Sequence, residues 1–271
     1  MSVHAFDEAV ALLPQREGVW QGHTSPAYGN MVGPFGGVTA AQALNAVMRH
    51  PQLLGEPVAC TVNFAAALAD GEFFVHAKPA RTNRSTQHWV VEARQRDEVV
   101  LTATVFTALR RETWSSSSES PMPQLPPPLE LPPAQRGGGR VEWINRYDMR
   151  FSEGGFHAAW DGTDHGTSRT RMWVRDNPPR PLDFPSLTAL SDVFFPRIWR
   201  RRAKPVPIGT VTMTVYFHAG SAQLRATGDG WLLGQAQAQA FHNGYFDQTA
   251  QLWNEVGELL VTTHQVVYYK E

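Results

Sequence analysis

Apolar residues run along this chain in two rhythms. Long stretches alternate apolar and polar positions with the period of two that a half-buried strand requires. Residues 73–95 (FFVHAKPARTNRSTQHWVVEARQ), 96–107 (RDEVVLTATVFT), 231–253 (WLLGQAQAQAFHNGYFDQTAQLW) and 256–267 (VGELLVTTHQVV) follow it, rich in β-branched and aromatic side chains. The first reads as one long bent strand, or as two strands interrupted near Arg81 to Ser85. In the third, His242-Asn243-Gly244 has the composition of a hairpin turn. Two further stretches, 34–48 (PFGGVTAAQALNAVM) and 183–195 (DFPSLTALSDVFF), read as helices.

The same order of elements occurs twice. Each half carries a helix-like run, then a β-rich segment ending in Phe (TVNF at 61–64, TVYF at 214–217), then a closing hairpin. One helix followed by adjacent strands is not the alternation of a parallel sheet; it predicts an α+β fold, a helix against one antiparallel sheet in each half. A lone sheet with one helix leaves apolar surface bare, so the halves are expected to pair. Between them, residues 115–140 contain seven prolines, five serines, three glycines and no aromatic residue. That composition predicts an extended or disordered linker between domains at 1–114 and 141–271.

Composition narrows the function. Over 271 residues, 42% hydrophobic and 11% aromatic content excludes wholesale disorder. Twenty-four Lys+Arg against 25 Asp+Glu argue against a nucleic-acid binder. No window approaches the ~18 apolar residues of a membrane span, and the N-terminus lacks the basic start of a signal peptide. The single cysteine, Cys60, forms no internal disulfide. A cytoplasmic protein is the expectation. The chain carries no G-x-S-x-G elbow, no G-x-G-x-x-G, no phosphate loop and no H-E-x-x-H, and its ten histidines lack metal-ligand spacing.

A few polar residues stand out against apolar surroundings. Asp192 is the only charge between Asp183 and Arg197. On a helix packed against a sheet it would be desolvated and its pKa raised, a mark of a functional carboxylate; on the outer helix face it would be ordinary. The helix of the first half has no acid at all. Alternation puts Gln265 on one face with Leu259, Val261, Val267 and Tyr269, where a glutamine needs partners; its counterpart in the first half is Val105. Thr210 and Thr212 alternate with Val211 and Met213, so Thr210 reaches the face of Gln265 only through a bulge. Gly36 and Gly37 permit close backbone approach by a substrate or simply a tight turn. The run IWRRRAK at 198–204, with Arg197, suits a helix C-terminus or a phosphate-rich ligand. The face with Arg169, Arg171, Trp173 and Arg175 reads as a wet strand face.

The ordered set FGG…QAL (35–44), RTRMWVR (169–175), SLTALSD (186–192), VTMTVYFH (211–218) and TTHQVV (262–267) resembles the acyl-CoA thioesterase II family. The resemblance covers nearly the whole chain outside the linker. It implies a tandem (double) hot-dog, each half an antiparallel sheet wrapped around one central helix. It implies hydrolysis of an acyl-CoA thioester with no metal or organic cofactor, coenzyme A entering as part of the substrate. Carried over, the catalytic residues are Asp192, Thr210 and Gln265, with Gly36, Gly37, Arg81 and Ser85 as substrate-binding candidates, and the chain is expected to form a homo-oligomer. Two readings from other classes compete: a non-catalytic acyl-CoA or acyl-chain binding shell, and an interaction protein whose PPPLELPP segment docks on a partner.

Overall fold

The computed structural model describes residues 3–116, 119–135 and 141–271. The strands are β1 (Leu13–Arg16), β2 (Val19–His23), β3 (Glu56–Phe64), β4 (Glu72–Thr82), β5 (Thr86–Gln95), β6 (Glu98–Ala108), β7 (Tyr147–Glu153), β8 (Thr170–Asp176), β9 (Ile208–Phe217), β10 (Leu232–Gln237), β11 (Phe241–His242), β12 (Tyr245–Asn254) and β13 (Leu259–Tyr269). The helices are α1 (Ala5–Ala9), α2 (Gly36–Met48), α3 (Phe184–Leu190), α4 (Arg197–Arg202) and α5 (Ser221–Thr227). The stretch 73–95 is therefore two strands, with the break where the sequence placed it. At the 243–244 turn, Asn243 (φ 54°) and Gly244 (φ 77°) both take the positive φ that a two-residue hairpin turn needs. No helix among the described residues is long and apolar enough to cross a membrane.

All the strands join one antiparallel sheet in the order β1-β2-β4-β5-β6-β3-β9-β13-β12-β10-β8-β7, with β11 added to β12. The halves meet edge to edge at β3 and β9, where Thr61 faces Thr214 and their hydroxyls lie 3.0 Å apart. This pair marks an approximate two-fold axis. Counting outward from it, Cys60 opposite Val105 corresponds to Met213 opposite Gln265. Both halves also carry a bulge at the same place: Val58 is skipped between Pro57 and Ala59, and Val211 between Thr210 and Thr212.

Helix α2 is enclosed almost completely, with Val38, Ala40, Ala41, Ala43, Leu44, Ala46 and Val47 all buried. Small side chains suit that enclosure, because they let α3 and the sheet approach closely. Helix α3 is shorter than the sequence predicts. Asp183 caps its N-terminus by accepting the Ser186 N–H at 2.8 Å. It stops at Leu190, and Ser191 turns its hydroxyl back onto the Leu187 carbonyl. Residue 195 precedes Pro196, which disfavours continued helix. Asp192 thus stands on the turn after α3, not within a helix reaching 195.

The proline-rich stretch takes the extended one of its two expected forms and is packed on the sheet as well. Its described part, 119–135, is extended but docked rather than disordered; residues 117–118 and 136–140 lie outside the described residues. Trp173 donates its indole N–H to the Pro126 carbonyl (2.9 Å) and Trp253 donates to that of Ser120 (3.1 Å). Met122, Leu125 and Leu131 pack on a cluster of Trp173, Trp231, Leu233 and Trp253. The strand face with Arg169, Arg171, Trp173 and Arg175 is accordingly not simply wet. Trp173 is buried beneath this strap, while Arg175 lies over the Trp231 ring at 4.2 Å. Trp173→Ala should lower unfolding free energy by about 3 kcal/mol or more, and limited proteolysis should then cut within 119–135. A variant as protease-resistant as the parent would show that the strap is held elsewhere.

Candidate active site

The first turn of α2 runs into the end of α3 at two glycines. A Cβ on Gly37 would lie 2.7 Å from the Ala189 carbonyl oxygen, backbone that cannot yield without parting the helices. A Cβ on Gly36 would lie 3.0 Å from Asp192 Oδ2 and 3.4 Å from the Phe64 ring. Glycine at these positions lets the helix N-terminus close over Asp192. The close approach seen at this pair is that of Asp192 and the end of α3.

Gln265 Nε2 donates to Asp192 Oδ1 at 2.8 Å, and the Gly37 backbone N–H donates to the same carboxylate. Gln265 is 3% exposed, on the inner face of β13. Asp192 keeps a partly exposed surface, but its carboxylate is enclosed. That burial pushes its pKa up to about 7, and the bonds from Gln265 and Gly37 act in the opposite direction by favouring the charged form. The α2 N-terminus adds the positive end of a helix dipole. The result is a carboxyl poised near neutrality, able to take a proton.

The bulge at Val211 settles where Thr210 points. Thr210 pairs with Val267, which shares the inner face with Gln265, whereas Thr212 pairs with Val266 on the outer face. Thr210 is therefore on the inner side, two residues along from Gln265, and its hydroxyl makes no hydrogen bond among the described residues. Arg81 and Ser85 are not brought to this place. They belong to the β4–β5 hairpin, and β4 is five strands from β13; there Arg81 donates to the Asn83 side chain and the Ser85 carbonyl accepts from Leu109. The run 197–204 is likewise taken up by the fold rather than left for phosphate. Arg197 is fully buried on the Ser168 carbonyl and the Thr170 hydroxyl, Arg201 pairs with Asp164, and Arg202 pairs with Glu271.

Two polar residues near Gln265 were passed over in the sequence. Gln248 is its direct partner on β12, and Thr263 on the same strand face is buried with its hydroxyl unpartnered. The signal for Gln248 was available: Phe246, Gln248, Ala250 and Leu252 alternate on one buried face, the pattern that picked out Gln265. Tyr147 is another, a buried phenol whose ionisation is opposed by burial first and, among lesser causes, by the Asp192 charge. Among the described residues no group of three or more His, Cys, Asp or Glu could hold a metal.

Comparison with known proteins fixes the family. The acyl-CoA thioesterase C-terminal domain matches residues 123–269, and the acyl-CoA thioesterase N-terminal domain matches residues 25–108. The chain belongs to the acyl-CoA thioesterase family. It is similar along its whole length to a hot-dog-fold protein of unknown function from Alicyclobacillus acidocaldarius, with 45% identity, TM-score 0.93, and coverage of 100% of this chain and 99% of that one. An acyl-CoA thioesterase II from Mycobacterium marinum superposes with TM-score 0.76 at 18% identity, covering 98% of each chain. A tesB protein from Mycobacterium avium subs paratuberculosis gives 0.78 at 19%, covering 99% of this chain and 100% of that one. At those identities the likeness to the mycobacterial proteins is one of fold, and the fold of this thioesterase-family chain is the double hot-dog. No curated protein sequence matches it.

The raised pKa of Asp192 carries a sign for stability. Its folded value, about 7, lies above the ~3.9 of a free aspartate, so the native state holds the proton more tightly. This contribution is whole below about pH 4 and is lost as pH rises through 7. Asp192→Asn removes the dependence. Denaturant titrations from about pH 4 to pH 8 should show the variant gaining on the parent by roughly 1–3 kcal/mol, with partial solvent access trimming the full shift. Parallel pH curves for the two proteins would contradict a raised pKa.

Proposed function

We propose that this protein hydrolyses an acyl-CoA thioester to the free acid and coenzyme A, with Asp192 as general base. The observation that carries the proposal is the Asp192–Gln265 hydrogen bond beneath the N-terminus of α2, in a chain of this family. A water held between Asp192, Gln265 and the Thr210 hydroxyl gives its proton to Asp192 while its oxygen bonds to the thioester carbon. The carbon–sulfur bond then breaks, and the departing thiolate recovers the proton from Asp192. Gly36 stands at the first helical position, so its N–H has no intrahelical acceptor; it is the donor for the developing oxyanion. No step requires a metal or organic cofactor.

One such site is expected per chain. By the two-fold register Val105 stands where Gln265 does, and α2 contains no acid. Asp192→Asn keeps the size but removes the base, so free-thiol release from acyl-CoAs should fall by about 10²-fold or more, and kcat/KM of the parent should rise with pH through about 7. Gln265→Ala should lower turnover in the same direction, whereas Val105→Ala should mainly cost stability. A folded Asp192→Asn variant hydrolysing at the parental rate would remove Asp192 from the reaction. Acyl-CoA binding without thiol release in the parent would favour the non-catalytic shell.

Self-association belongs to the same proposal. The outer sheet face exposes Val90, Val211, Tyr216, Val266 and Tyr268, whereas the strap covers the β8–β10 end. Light scattering at micromolar concentration should give a mass above the 30.2 kDa of one chain. A monomer mass throughout would overturn it.

A further inference from the structure

Nearly all the buried polar side chains of this protein have partners. Among the described residues, every buried serine, threonine, asparagine and glutamine makes a side-chain hydrogen bond except Gln248 and Thr263. Both exceptions adjoin Gln265. Gln248 is its cross-strand partner on β12, and Thr263 precedes it by two residues on the same face of β13. An unpaired buried amide costs stability, so a fold that keeps one gains something else by it. The Thr263 hydroxyl is sealed in, whereas the Gln248 amide, on a residue 3% exposed, is not wholly enclosed. Of the two, only the amide is open to a ligand.

The first half shows the same frame packed differently. By the register that sets Val105 against Gln265, Trp89 stands at the position of Gln248 and Ala103 at that of Thr263. Trp89 is fully buried and donates its indole N–H to the Thr107 hydroxyl at 3.3 Å. Gln87, on the same inner face, accepts the Leu54 N–H (2.8 Å) and donates to the Gln52 carbonyl (3.0 Å) and the Thr82 hydroxyl (2.7 Å). There an indole fills the core and every buried amide is bonded. In the second half an unspent amide takes the indole's place, directly opposite the glutamine that binds Asp192. Cross-strand partners hold their Cβ atoms ~4.5–5.5 Å apart, so an amide at 248 reaches the neighbourhood of Gln265. Strand β13 lies between β9, which carries Thr210, and β12. Gln248 therefore flanks Gln265 on the side away from Thr210.

We infer that Gln248 is a substrate-contacting residue whose amide hydrogen-bonds a neutral polar group carried by the thioester a few bonds from the reacting carbon. The inference rests on the thioesterase reading above. Two parts of an acyl-CoA offer such a group: the amide of the thioethylamine arm, and an oxygen at C3 of an oxygenated acyl chain. An amide donates and accepts at once, so it matches either, whereas an alkyl chain laid across it leaves both functions unpaired. A contact away from the reacting bond is made in ground and transition state alike, and it shows in KM rather than kcat. One hydrogen bond corresponds to about threefold to tenfold.

Gln248→Met keeps the side chain's length and removes its hydrogen bonds; Gln248→Leu is a second variant, and Thr263→Val controls for an apolar change beside Gln265. Thermal unfolding of the Gln248 variants should give midpoints at or above the parent's, by up to about 4 °C, because an unpaired buried amide is gone. Thiol release from butanoyl-CoA and 3-hydroxybutanoyl-CoA should show KM raised about threefold to tenfold, with kcat within about twofold. A rise for both esters assigns the contact to the thioethylamine amide, and a rise for the hydroxy ester alone assigns it to the acyl oxygen. Thr263→Val should hold both constants within about twofold. Calorimetric binding of the unreactive thioethers S-butyl-CoA and S-(3-hydroxybutyl)-CoA should weaken in step with KM. Unchanged KM and Kd in Gln248→Met overturn the inference. So do a loss confined to kcat, an equal loss in Thr263→Val, or midpoints several degrees below the parent's in both Gln248 variants, which would make the amide structural. If the parent hydrolyses neither ester yet thioether binding weakens in Gln248→Met, the hydrolase reading falls and the contact stands. A parent that binds neither thioether overturns the contact.

Discussion

The structure hangs on the contact between the first turn of α2 and the last residues of α3, made at a distance no side chain would permit. A methyl group on Gly37 would sit 2.7 Å from the Ala189 carbonyl oxygen, closer than van der Waals contact allows. Because that volume is empty, the helices touch, and the two half-sheets can continue through β3 and β9 around them. The same closeness brings the free N–H groups of α2 over the turn that carries Asp192. The packing that makes the two halves one body therefore also builds the site.

At that site the energetics oppose each other. Burial favours the neutral acid, while Gln265 and the Gly37 N–H favour the carboxylate. Burial prevails, and the group is left near the middle of its titration at neutral pH. A base serves best when its pKa is close to the working pH, because it is both available and able to hold a proton briefly. Near-symmetry sharpens this point. Thr61 and Thr214, and the bulges at Val58 and Val211, are repeated faithfully, so the two halves share a frame. The Asp192–Gln265 pair is not repeated, since Val105 occupies the matching inner position of the first half.

Several features that read as solvated in the sequence are structural in the fold. The proline-rich strap shields four large side chains on the outer sheet face, where carbonyl groups of the strap satisfy two indole N–H groups. Prolines suit this work, because an extended segment with few donors loses little by lying against an apolar surface. The arginines of α4 are bound one by one to carbonyls and carboxylates, Arg197 at the cost of full burial. Charge density along a chain says how many partners are needed, not whether they are internal.

The sequence by itself determined the duplication, the helix-then-strands order and the strand alternation that singled out Gln265, because these depend on local periodicity and composition. It also made Asp192 conspicuous, a lone acid in an apolar run. What it could not carry was any relation between residues distant in the chain. The docking of 119–135 and the separation of Arg81 and Ser85 from the site are set by strands and side chains distant in the chain. Thr210 is the sharpest case. Alternation alone puts it on the wrong face, and one extra residue in β9, accommodated only when β13 is in register beside it, turns it inward. Period fixes a face within a strand, but only the neighbouring strand decides where that period slips.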